Sequence, residues 1–182
     1  MKVQCLPYPA GVDGPEQRWL DPDEQEAWRA YLAATTVLES ALDRQLQRDS
    51  GMPHAYYQIL AMLSDVPGHT LRMSDLATVT QSSQSRLSHA VSRLERNGWV
   101  CRLPCKDDRR STLARLTDAG FDALAAAAPD HVRTVRAQVF DLLSDEQVSQ
   151  LRDICRTVFG GLATESECAG LPGELTGRRH VS

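Results

Sequence analysis

The chain has 182 residues, 42% apolar and 24% charged, which is the composition of a soluble globular protein. It contains no run of about 18 apolar residues, which excludes a transmembrane helix, and its first residues lack the apolar core of a secretory signal. Five scattered cysteines are an odd number, which argues against a disulfide framework and predicts a reducing, cytoplasmic location.

Positive charge is concentrated in one segment. The chain carries a net charge of −4, yet the window 86–115 holds eight basic and three acidic residues, a local charge of +5. The rest of the chain therefore carries −9. Such a distribution suits a local contact with a polyanion, although a solvated charged face gives the same pattern.

The N-terminal part predicts an arm and a long helix. Residues 1–18 are rich in Pro and Gly and predict an irregular arm. Asp21 and Glu24 form a capping box, which opens a helix that ends at Gly51. Its apolar stripe comprises Trp28, Tyr31, Leu32, Leu38, Leu42 and Leu46. A stripe of this length favours burial against a second chain, so residues 19–52 are predicted to be a dimerisation helix.

Short elements follow. Pro53 opens a second helix that stops near Pro67, and Thr70–Met73 is predicted to be extended. Ser74 is then predicted to cap a small helix over residues 75–79.

The next helix begins after a tight turn. Ser82 or Ser83 is expected to cap it, and Gly98 is expected to end it in a left-handed conformation after Asn97. Its buried stripe is predicted to be Leu87, Ala90, Val91 and Leu94.

Two short strands then flank a basic loop. Residues 99–103 and 111–116 predict a β-hairpin whose long loop protrudes as a wing. Residues 53–117 therefore predict a winged helix-turn-helix lobe. Thr117 is expected to cap the helix that follows.

The C-terminal part predicts two more helices and a tail. The first is expected to kink at Pro129 and to resume through Leu142. Ser144–Gln147 is a capping box that opens the last helix. Residues 118–161 are predicted to join the dimer interface, and residues 162–182 to form a flexible tail. The stripe of the last helix contains Val148, Leu151, Ile154, Val158 and Phe159. The predicted fold is thus mostly α, with a small β-hairpin wing.

This order of elements points to double-stranded DNA as the partner. A helix-turn-helix places its second helix in the major groove and reads bases with residues near the N-terminus of that helix. Hydroxyl, amide and guanidinium side chains are suited to base edges and phosphates. The candidates on this helix are Ser82, Ser83, Gln84, Ser85, Arg86, His89 and Arg93.

Four stretches carry a resemblance to the MarR family of bacterial winged-helix regulators. They are Ser85–Glu95, Asn97–Val100, Asp107–Arg110 in the wing, and Leu113–Gly120 with its Leu-Thr-x-x-Gly pattern. The resemblance covers roughly residues 20–160.

The resemblance implies a homodimer, joined through its terminal helices, that binds pseudo-palindromic promoter DNA. It assigns Asp108 to holding Arg110, which enters the minor groove, and Arg109 to a neighbouring phosphate. Where many members have Arg, this chain has His89. The leading interpretation is a repressor that responds to a small-molecule effector or to stress.

The resemblance also implies an effector cleft for small, often phenolic, anions. No residue is assigned to such a cleft here. The aromatic and histidine residues of the first two helices are assigned instead to packing: Trp19, Trp28, Tyr31, His54, Tyr56 and Tyr57.

The cysteines raise a second possible function. Cysteine-based redox sensing would need a reactive thiol among Cys5, Cys101, Cys105, Cys155 and Cys168. Cys101 alternates along its strand with Arg102, which is predicted to be exposed, so Cys101 is predicted to face the interior. Cys155 lies beside the apolar stripe of the last helix and is predicted to be a small core residue. Cys101 and Cys105 lie four residues apart, and no further ligands follow them at an interval typical of a metal site. No metal or cofactor is therefore expected.

Two further classes stay open at the level of sequence. A winged helix that binds protein would not need Arg86, Arg93, Arg109 and Arg110 on one surface. An enzyme is disfavoured because no catalytic motif is present, and a triad of His89, Ser85 and Asp75 would lie on a solvent-facing helix.

Overall fold

The first helix begins where its capping box predicts. In the computed structural model, which describes residues 18–105, 108 and 111–162, α1 spans Pro22–Ser50. The Glu24 N–H donates to Asp21 Oδ1 (2.8 Å), and the Asp21 N–H donates to Glu24 Oε2 (2.9 Å). Gly51 follows the helix with a φ of 65°, the left-handed conformation that glycine adopts without strain.

By its contacts the chain divides after Val37. Residues 18–37 contain the first turns of α1, and none of them is buried. The rings of Trp28 and Tyr31 stack there with centroids 5.9 Å apart, and both side chains are exposed.

The winged lobe begins with α2 (His54–Ser64), a 3₁₀ turn and β1 (Thr70–Arg72), and α3 (Met73–Val79) is the first helix of the helix-turn-helix. The prediction that Ser74 caps α3 is wrong. Pairing in the sheet keeps Arg72 extended up to the start of the helix, so Arg72 itself is the N-cap and makes no side-chain cap bond. Ser74 lies in the first turn and donates to Asp75 Oδ1 (2.9 Å).

The second helix of the motif, α4 (Gln84–Arg96), is capped by Ser83. Its hydroxyl accepts the N–H of Arg86 at 3.3 Å. Gly98 has a φ of 74°, which confirms the predicted left-handed end of this helix.

The wing is part of a three-stranded antiparallel sheet. β2 (Val100–Pro104) and β3 (Thr112–Leu116) form the predicted hairpin, and β1 adds to the other side of β3. The extended conformation of β1 was predicted, but its pairing with β3 was not. Ala114 lies opposite Leu71 on one side and Arg102 on the other.

Thr117 caps α5 (Asp118–Gln138) by accepting the N–H of Gly120 at 3.0 Å. The helix continues through Pro129. Proline has no N–H, so the carbonyl of the exposed Ala125 lacks its usual donor within the helix. The prediction that this helix extends to Leu142 is wrong. It ends at Gln138, and residues 140–142 form a 3₁₀ turn.

The glycine of the Leu-Thr-x-x-Gly pattern has a steric reason. A Cβ at Gly120 would overlap the carbonyl oxygen of Trp99 and the side chain of Leu116. Close packing of α5 against the start of the wing therefore requires glycine at this position.

The last helix, α6 (Asp145–Leu162), opens with the predicted capping box. The Ser144 N–H donates to Gln147 Oε1 (2.9 Å), and the Gln147 N–H donates to Ser144 Oγ (3.3 Å). None of the residues of α6 is buried. Among the described residues, no helix is long and apolar enough to cross a membrane.

The core lies within residues 38–162 and joins α2, α3 and α4 to the sheet. Leu42, predicted to belong to the dimer stripe of α1, is instead buried within its own chain, as is Leu46. The most deeply buried members of the core include Leu60, Leu63, Leu76, Val91, Leu94 and Ala114.

Candidate nucleic-acid interface

Helix α4 has one buried and one exposed face. Leu87, Val91 and Leu94 are at most 1% exposed, so they anchor the helix in the core. Five side chains that the sequence proposed as base readers are exposed: Gln84, Ser85, Arg86, His89 and Arg93. Arg86, His89 and Arg93 follow one another by three and four residues, so they share the side of the helix opposite the buried stripe. Gln84 and Ser85 are exposed in its first turn. This face can therefore contact a ligand without unpacking the core.

The two serines before α4 serve the turn itself. Ser83 is exposed, and its hydroxyl is occupied as the N-cap. Ser82 is half-buried and donates to the carbonyl of Thr80 at 3.3 Å. Their proposed DNA contacts stay predictions, and these bonds show that each hydroxyl already has a structural task.

At the base of the wing, Asp108 contacts residues on both sides. The Ser111 hydroxyl donates to Asp108 Oδ2 at 2.6 Å, and Arg72 Nη1 lies 4.0 Å from the same oxygen. Arg72 comes from β1, so the aspartate links the wing to the strand before α3. Sequence reasoning missed Arg72 because the pairing of β1 with β3 was not foreseen. The predicted partner Arg110 lies outside the described residues, as does Arg109.

Arg102 was predicted to be exposed, but it is half-buried. Its side chain is 29% exposed, because it lies against α4. Nη1 donates to Glu95 Oε2 (2.6 Å) and to Ser92 Oγ (3.1 Å). Nη2 donates to the carbonyl of Ser88 (2.9 Å) and more weakly to its hydroxyl (3.3 Å). The alternation of residues along β2 predicted the wrong environment because it ignored the acidic and hydroxyl groups of α4.

A polar hollow of about 340 Å³ lies between α4 and the sheet. Its lining includes Arg72, Gln84, Ser88 and Arg102. The terminal nitrogens of Arg102 are already bonded to α4, so Arg72 and Gln84 are the donors that the hollow offers beside the first turn of α4.

The described cysteines have different environments. Cys105 is buried and Cys101 half-buried, whereas Cys155 is exposed, so its predicted place in the interior is wrong for the single chain. The cause is that α6 has no buried face within this chain. Cys5 and Cys168 lie outside the described residues. Within the described ranges, no group of three or more His, Cys, Asp or Glu residues could hold a metal ion.

A buried histidine was not anticipated from the sequence. His131 of α5 is 9% exposed, and its ring lies 4.3 Å from that of Tyr57 and 5.7 Å from that of His54. Burial lowers the pKa of His131, and the neighbouring His54 lowers it further. Burial also lowers the pKa of His54, against the opposing effect of Asp43 and Glu39. The Ala-rich context of His131 resembled an ordinary helix face and gave no signal of this cluster.

Known proteins resemble this lobe in sequence and in fold. A sequence model of the MarR family matches residues 50–111, which contain α2 to the wing. The regulator PecS of Dickeya dadantii is 31% identical over 84 residues, which are 46% of this chain and 50% of PecS. The transcriptional repressor MprA of Escherichia coli K12 is 25% identical over 65% of this chain and 66% of its own. The chain thus spans about half to two thirds of the length of these curated relatives.

Two solved structures from Streptomyces coelicolor match over more of the chain. Sco3205, a MarR family transcriptional regulator in complex with DNA, is 51% identical with a TM-score of 0.78, over 84% of this chain and 95% of its own. AbsC, another MarR family regulator, is 40% identical with a TM-score of 0.74, over 80% of this chain and 98% of its own. The winged-helix fold, the exposed face of α4 and these identities agree, and the chain belongs to the MarR family of transcriptional regulators.

Proposed function

We propose that the protein is a homodimeric repressor that binds a pseudo-palindromic operator and is released by a small-molecule or stress signal. The observation that carries the proposal is the exposed polar face of α4 beside the wing. It occurs in a chain that is 51% identical to a regulator whose structure is a complex with DNA. The enzyme class is not supported, since the relatives are regulators of transcription.

The DNA contacts would divide between reading and anchoring. Gln84 and Arg86 lie in the first turn of α4 and would reach base edges, because recognition helices present this end to the major groove. Arg109 and Arg110 would anchor the wing on phosphates and in the minor groove. Such contacts supply affinity that does not depend on sequence.

The dimer is supported by apolar surface that the single chain leaves uncovered. On α6, Ile154 is 60% and Val158 53% exposed, and on α1 Trp28 and Tyr31 are more than half exposed. An amphipathic helix with its apolar face in water requires a cover. A second copy would cover both stripes. Two recognition helices would then lie about one helical turn apart, so half-sites would be centred about 10 bp apart.

Repression is suggested by the named activity of MprA, a relative at 25% identity. A cytoplasmic location would follow from genomic DNA as the target. No described residue is assigned to an effector.

The proposal is tested by sequencing genomic fragments that the purified protein retains. A selected fragment should shift in electrophoresis with the protein in the presence of competitor DNA. An Arg86→Ala, Arg93→Ala double variant should lose the shift. An Arg44→Ala, Arg115→Ala double variant, which removes the same charge from exposed positions outside the proposed contacts, should keep it. Failure to enrich any fragment would contradict DNA recognition and favour the protein-interaction alternative.

A further inference from the structure

Arg102 joins the wing to the recognition helix at several points. Its guanidinium contacts Ser88, Ser92 and Glu95, which follow one another by four and three residues and therefore form one stripe along α4. The contact thus extends over about two turns of the helix and can resist rotation as well as translation.

Glu95 holds the backbone of the wing as well as the side chain. Its Oε1 accepts the N–H of Arg102 at 3.0 Å, while Oε2 accepts Nη1 at 2.6 Å. β2 is an edge strand, since the sheet order is β1-β3-β2. The carboxylate therefore ends the hydrogen bonding of β2 at its open edge and fixes the strand against α4.

The charge of Arg102 is directed inward. Both terminal nitrogens donate to α4, and the paired carboxylate is 30% exposed. Charge-assisted bonds with a carboxylate are among the stronger ones in proteins, and this pair is partly shielded from water. Arg93 and Arg96 on the same helix are by contrast exposed. Arg102 is therefore poorly placed to bind a phosphate and well placed to fix an angle.

We propose that Arg102 is a positioning residue for DNA recognition, which fixes the wing relative to α4 through Ser88, Ser92 and Glu95 and does not itself contact DNA. The inference rests on the proposed function. Once α4 occupies the major groove, binding of the wing to the same DNA is an intramolecular step. The affinity that this second contact adds depends on a fixed geometry between α4 and the wing. A looser wing would reduce that affinity although every DNA contact is still present.

Two variants with opposite changes of charge test the proposal. Arg102→Gln removes a positive charge, and Glu95→Ala removes a negative charge beside the DNA-facing helix. Electrostatics alone predicts weaker binding for the first and tighter binding for the second. If Arg102 positions the wing, both variants should lose operator affinity. Linking two contacts can raise affinity by about 10²–10⁴-fold, and we expect each variant to lose at least about tenfold of this gain. The double variant should lose no more than either single one, because the pair acts as a unit.

Salt dependence separates positioning from phosphate contact. Fluorescence anisotropy with a selected genomic fragment and a shuffled duplex is measured at several salt concentrations. The salt slope of Arg102→Gln should equal that of the wild type, whereas loss of a phosphate contact would lower it by about one per site. Arg115→Gln, which removes the same charge from an exposed site on β3, should leave the ratio of operator to shuffled affinity unchanged. Ser92→Ala removes one acceptor without a change of charge and should show a smaller loss of the same kind.

Hydrogen exchange gives a readout that does not require DNA. The Arg102 amide should exchange faster in Glu95→Ala than in the wild type, while the melting temperatures show that both variants fold. Tighter binding by Glu95→Ala, a reduced salt slope in Arg102→Gln, or unchanged affinity in both variants would each overturn the proposal. If the wild type selects no DNA fragment, the proposed function fails, and amide exchange alone then decides whether the contact holds the wing.

Discussion

The exposed stripe of α6 predicts that Leu151→Asp with Val158→Asp converts a dimer into monomers. Leu151, Ile154, Val158 and Leu162 are 38%, 60%, 53% and 76% exposed, equivalent to about two and a quarter fully exposed side chains. At about 1.5–3 kcal/mol each, covering them in both copies supplies roughly 7–14 kcal/mol.

The stripe of α1 exposes Trp28, Tyr31 and Leu32 by 52%, 57% and 43%, equivalent to about one and a half side chains. Covering both stripes in both copies then supplies roughly 11–23 kcal/mol, against about 4–15 kcal/mol for the loss of free motion. The central values leave about 8 kcal/mol, which corresponds to a dissociation constant on the order of 1 μM. The double substitution removes about one side-chain equivalent per copy and would also desolvate two carboxylates per copy. The dissociation constant of the dimer should therefore rise by more than about 10³-fold.

Analytical ultracentrifugation at micromolar concentration measures this change. Ser149→Asp with Gly160→Asp is the matched control, since it adds the same charge on the side of α6 opposite the stripe and should stay dimeric. A wild type that is monomeric at this concentration and still binds its operator would refute the dimer. A stripe variant that remains a dimer would refute the role of α6.

Three further predictions concern DNA and pH. Arg86→Ala should lose discrimination between operator and mutated operator more than it loses non-specific affinity in a competition assay, and equal losses would reassign Arg86 to a phosphate. Arg110→Ala should weaken binding to all duplexes by roughly 1–3 kcal/mol per half-site and flatten the salt slope, and unchanged affinity would exclude a wing contact. Burial lowers the pKa of His54 and His131 in the folded chain, so the unfolded chain binds more protons below its ordinary His pKa of about 6.5. The melting temperature should therefore fall as the pH drops from 7.5 towards 5.5. It should fall less steeply in His131→Phe, which keeps an aromatic ring beside Tyr57. Equal slopes in the two proteins would contradict a contribution of His131 to the pH dependence of stability.

Local signals predicted the helices well. The capping boxes at Asp21 and Ser144 and the glycine after α4 act within a few residues, so a single sequence contains all the information they need. The face of α4 was predictable for the same reason, since its apolar period defines the exposed side.

Contacts between distant residues were not predictable in this way. The pairing of Leu71 with Ala114 joins residues more than forty positions apart, and three residues of β1 carry too short a pattern to indicate a partner. The bonds of Arg102 to α4 depend on where the sheet places β2. The length of α5 was overestimated because its apolar period continues past Gln138, although the backbone leaves the helix at Val139.

The strand order has a consequence for how the lobe folds. The central strand of the sheet, β3, is made last, so β1 has no partner until about forty more residues have been added. Because closing such a loop costs entropy before any pairing rewards it, the sheet should form late and together with the helices that rest on it. The recognition helix would then lack its final support until the whole wing has been synthesised. A nascent chain truncated within the wing should therefore expose the apolar side of α4 and be open to proteolysis.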